Sequence, residues 1–124
     1  MRVRRWLTGV GAVALSAGLV TACGTSGSAA PASSPSVHQT CRAVTAVLTD
    51  GPDPDADPVG YALAQVGPLR QIKPTSDQPL QTAIDQLASA YQRFSAAGGV
   101  GASVKRAVTR ASDRLDALCP GAAS

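Results

Sequence analysis

Glutamate is missing from all 124 residues, histidine occurs once, as His38, and aromatic side chains make up 3% of the chain. Each shortage argues against a class of chemistry. Metal centres inside helical bundles draw on Glu-x-x-His sets from facing helices, and such sets need glutamate. Nucleophilic dyads and triads need a base that a third group orients, and nothing near His38 in the sequence orients it. Glycosidase chemistry needs two carboxylates across a cleft, whereas the eight aspartates crowd one loop or stand singly. No Cys-x-x-Cys spacing marks a redox-active thiol pair. No catalytic residue, metal site or cofactor is therefore expected, and His38 reads as an exposed bystander. Long apolar runs are lacking too. Trp6 to Val20 falls short of the roughly 20 residues that a transmembrane helix requires.

That run has the make-up of a secretory signal. Arg2, Arg4 and Arg5 precede it, and apart from small residues only Thr8 and Ser16 interrupt it. It closes on Val20-Thr21-Ala22-Cys23, where a Gly/Ser/Pro-rich segment begins. The arrangement resembles the lipobox of bacterial prolipoproteins, and the Ala, Gly, Pro, Arg and Asp content resembles that of exported proteins of high-GC Gram-positive bacteria. The resemblance implies cleavage after residue 22 and a diacylglycerol thioether on Cys23. The mature chain would then be held at the extracytoplasmic face of the cell membrane. Arg4-Arg5-Trp6-Leu7 also faintly resembles a twin-arginine signal, but Thr8 stands where lysine is usual, so general secretion is the expected route.

Taking residues 1–22 as a leader changes the charge reading. The formal charge of +3 is carried by Arg2, Arg4 and Arg5. Arg42, Arg70, Lys73, Arg93, Lys105, Arg106, Arg110 and Arg114 remain and balance the aspartates. A neutral mature chain gives no reason to expect a nucleic-acid partner. Assigning Cys23 to lipid also removes the odd cysteine. Cys41 and Cys119 are left together in an oxidising compartment, where a structural disulfide is the default.

Residues 24–36 contain no charge and no large apolar side chain, so they cannot offset their own ordering entropy. With Cys23 they form a flexible tether whose reach is roughly 20 Å. A helical domain is expected over residues 37–120, followed by a short tail, 121–124. Val37, Cys41, Val44 and Leu48 place one helix over 37–49, with Cys41 on its buried face. Asp53, Asp55 and Asp57 superficially resemble the opening of a calcium loop, but Pro58 replaces its turn glycine and Ala64 its bidentate glutamate. The segment reads instead as an acidic, proline-stiffened turn, with Asp57-Pro58 starting the second helix.

Val59, Ala62, Leu63 and Val66 give that second helix a short apolar face. Gly67-Pro68 should break or kink it, with Leu69 and Ile72 adding a last apolar turn. The third helix is capped by Ser76 or Asp77, carries Leu80, Ile84, Leu87, Tyr91 and Phe94 as a seam, and ends at Gly98-Gly99. The fourth runs from about Gly101 to Leu118 with Val100, Val104, Val108, Ala111, Leu115 and Leu118 as its stripe.

These segments predict an all-α, antiparallel four-helix bundle whose second helix is short or kinked. In such a bundle the start of the first helix lies beside the end of the fourth, which brings Cys41 to Cys119 by topology as well as by compartment. On the fourth helix Arg106, Arg110 and Arg114 recur every four residues beside Lys105, a ladder suited to lipid headgroups or an anionic wall polymer. Asp113 can pair with Arg110, and a solvated face is the plainer reading of that charge. The expected role is a non-catalytic interaction module at the cell envelope, contacting an envelope protein or wall polymer. The alternative is a small carrier of apolar ligands or lipid, held between helices.

Overall fold

The computed structural model describes residues 34–124, so the expected leader, Cys23 and the expected tether as far as residue 33 lie outside the described residues. The first helix, α1 (Val37–Thr49), begins at a reciprocal cap. Gln39 N–H donates to the Ser36 hydroxyl at 3.2 Å, and Ser36 N–H donates to the Gln39 side chain at 2.9 Å. Asp57 accepts from Gly60 N–H to start α2 (Pro58–Gln71), with proline in the first turn. Asp77 plays the same part for α3 (Gln78–Ala96), accepting from Leu80 N–H at 2.8 Å. Gly101 precedes α4 (Ala102–Leu118) without a side-chain cap.

Neighbouring helices in sequence pack against each other, and among the described residues all regular structure is helical. Long-range side-chain bonds register the α1–α2 hairpin at both ends. The Tyr61 hydroxyl donates to the Leu48 carbonyl at 2.8 Å, tying the end of α1 to the start of α2. At the opposite end, the Thr75 hydroxyl donates to the Pro35 carbonyl. The Cys41–Cys119 disulfide, with Cα atoms 5.4 Å apart, joins the first turns of α1 to the residue after α4. The antiparallel four-helix bundle closes at that crosslink.

α3 is the central helix. Leu80, Ile84, Leu87 and Tyr91 are buried as its periodicity predicts, and Ala83, Ala88 and Ala90 join them because α2 and α4 cover it from two sides. Together with Val44, Leu69 and Leu115 these side chains form one continuous core.

The outer helices differ from their expected faces. In α1 the buried row is Thr40, Val44 and Leu48. Val37 is 43% exposed and Cys41 is half-buried, because α1 turns its 40/44/48 row to the core. α2 does not break at Gly67-Pro68. It continues to Gln71, because Pro68 lies on the exposed side while Leu69, next in sequence, is buried and holds the last turn in place. The inward row of α2 is Ala62, Gln65 and Leu69, and Leu63 is 65% exposed. The buried Gln65 amide is satisfied by donating to the Asp50 carbonyl at 2.6 Å. Val100 precedes α4 and is 70% exposed, outside the stripe expected for it. Residues 121–124 pack back onto the bundle, with Ala122 buried and Ala123 N–H donating to the Asp116 carboxylate.

Candidate functional site

The sequence places four cations on α4, and the bundle sorts them. Along the α3–α4 seam the facing residues include Ala90 on α3 and Ala107 and Ala111 on α4. Methyl side chains leave the helix backbones only shallowly covered, so the seam opens outward as a groove of about 580 Å³. Arg110, Asp113 and Arg114 line it from α4, and Gln86 and Arg93 line it from α3.

Lys105 and Arg106 are exposed but lie off the groove. Lys105 lies about 140° around the helix from Arg110 and faces away from the seam. Arg106 lies on the same side of α4 as Arg110, one turn before it, and does not line the groove. In exchange α3 contributes Arg93, which the sequence reading counts only among the charges of a neutral chain. Nothing local marks Arg93 as a groove residue, because its role depends on which side of α3 receives α4.

The groove holds three guanidiniums and one carboxylate, while the charges of residues 34–124 balance. Its positive character is therefore a matter of placement. The hydrogen bonds of the described residues do not include the Arg110–Asp113 pair that the spacing suggests. They join one arginine side chain to another side chain, Arg70 to Gln92. Three uncommitted guanidiniums on two walls can take up anionic oxygen atoms in forked hydrogen bonds.

The other sequence candidates stand apart from this groove. His38 is exposed beside an open, mainly apolar trough of about 750 Å³ along α1, which includes Val37, Cys41, Thr45 and Cys119 and no carboxylate. The acidic turn is occupied with its own backbone. Asp53 accepts from Asp55 N–H and Asp57 from Gly60 N–H, each at 2.8 Å. Among the described residues no group of three or more His, Cys, Asp or Glu side chains could hold a metal ion. Tyr61, Tyr91 and Phe94 converge with Pro54, Pro58 and Val108 around a pocket of about 190 Å³. Cys41 and Cys119 are brought together, and Cys23, where the sequence leads one to expect a lipid, lies outside the described residues.

Comparison with protein families, with curated proteins and with solved structures finds no match to the chain.

Proposed function

We propose that this chain is a lipid-anchored protein of the extracytoplasmic face of the cell membrane, and that its bundle is a non-catalytic interaction module at the cell envelope. The leader pattern and Cys23 support the location. The observation that supports the role is the α3–α4 groove, where an otherwise neutral domain gathers Arg93, Arg110 and Arg114 on one concave surface. Catalysis has no support from the arrangement, because no base, nucleophile and orienting group converge at that groove. Among the described residues no helix is long and apolar enough to cross a membrane. The attachment proposed is the lipid on Cys23.

The carrier reading is less favoured. Leu69, Leu80, Ile84, Leu87 and Leu115 are fully buried in the core, and the described concavities are open at the surface. Feeding cells an alkyne-labelled fatty acid tests the anchor. The native chain is expected to take up label and sediment with membranes, and Cys23→Ser is expected to lose both. Crosslinking in intact cells tests the role, with one stoichiometric envelope protein or a wall polymer as the expected product. Abundant co-purified lipid in native mass spectra would instead favour the carrier.

A further inference from the structure

We infer that the α3–α4 groove is a binding site for a linear phosphodiester polymer, with Arg93 and the Arg110/Arg114 pair gripping successive phosphates from opposite walls. The inference rests on the interaction-module reading and names the chemistry of its partner.

Four properties of the groove lead there. Its cations come from two helices, Arg93 on one wall and Arg110 with Arg114 on the other. A tetrahedral phosphate presents its two free oxygens in different directions and can be held from both walls. All three cations of the groove are arginines, whose guanidinium forks match the oxygens of phosphate groups. The groove is also elongated. Arg110 and Arg114 are four residues apart, about 6 Å along the helix axis, so the site offers successive anion positions along its length.

Its floor of Ala90, Ala107 and Ala111 admits a narrow chain and leaves the arginines to act from the rims. Concavity separates a polymer from a bilayer, since a flat headgroup surface meets convex faces and does not reach an alanine floor. Finally, Gln86 at one end supplies a neutral amide able to donate to a bridging or hydroxyl oxygen of such a chain.

The acidic α1–α2 turn of a second copy is the competing anion on this molecule. It fits less well, because Asp53 and Asp57 already accept backbone N–H groups within their own turn. Those bonds hold the turn compact, whereas the groove suits an extended chain.

The test uses the full chain purified from its own cells, with poly(glycerol phosphate) of defined length as the probe. Poly-L-glutamate of equal charge, monomeric glycerol phosphate and anionic phospholipid vesicles are the comparison arms. The expected result is saturable polymer binding at fixed ionic strength, weakened about tenfold or more by Arg93→Gln and by Arg114→Gln. Arg106→Gln and Lys105→Gln, outside the groove, should change it by at most about twofold. Unchanged melting temperatures in all four variants show that the fold is kept. Equal losses at Arg106 and Arg93, equal binding of poly-L-glutamate, binding to vesicles alone or no binding would each overturn the proposal. Self-association abolished by Arg93→Gln, with no polymer binding, would point to the acidic turn. Fatty-acid labelling of Cys23 is read separately, so loss of the anchor reading and loss of the polymer site are distinguishable.

Discussion

Tyr61 and Tyr91 meet edge to face between α2 and α3, their ring centroids 5.9 Å apart and their planes at 88°. The geometry sets the positive rim of one ring against the face of the other. It also places two phenols in a setting that disfavours charge. Burial raises the pKa of Tyr91 well above the ordinary 10.0, and the neighbouring Tyr61 raises it further. Burial raises that of Tyr61 as well.

A stability change at alkaline pH follows from this pair. Below the unfolded-state value near 10, both phenols are protonated in the folded and unfolded chains, so their contribution to stability is complete. Above it the unfolded chain ionises while the folded chain stays protonated, and stability falls as pH rises toward the folded values. Urea unfolding between pH 8 and pH 11 checks this. The native chain is expected to lose stability above about pH 10, and Tyr91→Phe is expected to flatten most of that loss. An unchanged slope in Tyr91→Phe would mean that Tyr91 is not the responsible group.

The Cys41–Cys119 crosslink spans 78 residues of sequence. In the chain-entropy account a loop of that size contributes about 4 kcal/mol by restricting the unfolded chain. For a domain under 100 residues this corresponds to a melting temperature lowered by about 20 °C on reduction. Calorimetry with and without a phosphine reductant measures it, and identical transitions would show that the crosslink adds nothing.

Two adjacent glycines should answer differently to the same substitution. Gly98 and Gly99 both have positive φ, +61° and +73°, so a methyl group strains the backbone at either. At Gly98 the new carbon meets nothing within 4 Å. At Gly99 it falls 2.8 Å from Cγ2 of Val59 and 3.2 Å from the Phe94 ring, where the start of α2 packs against the end of α3. Gly98→Ala is expected to cost about 1 kcal/mol, and Gly99→Ala about 1 to 2 kcal/mol more. Chemical denaturation of the two variants measures the gap, and equal costs would refute the close approach of Val59.

The positions of the helices could be read from local signals. Proline after Asp57, the Asp77 cap, the glycines after α3 and the seam of Leu80, Ile84, Leu87 and Tyr91 all act within a few residues of one another. The Ser36-x-x-Gln39 cap is equally local, and its pattern was there to be found. The Cys41–Cys119 pairing was legible for another reason, since antiparallel topology leaves those two ends side by side. The caps and stops survive any rotation of a helix about its own axis, and the crosslink limits that rotation for α1 to settings in which Cys41 faces Cys119.

That rotation is what only packing decided. Whether α1 buries Cys41 or Thr40, and whether α2 turns Leu63 or Gln65 inward, depends on core contacts summed over all four helices. A locally unfavourable choice such as an inward Gln65 is carried because the Asp50 carbonyl, fifteen residues away, accepts a hydrogen bond from its side-chain amide. Of the break or kink that Gly67-Pro68 allows, the break does not occur, because the buried Leu69 packs the last turn of α2 onto the core. The groove belongs wholly to this second kind. Arg110 and Arg114 were visible as a pair on one helix, but Arg93 joins them only because α3 and α4 meet along their alanines, and the sequence carries no local mark of which faces will meet.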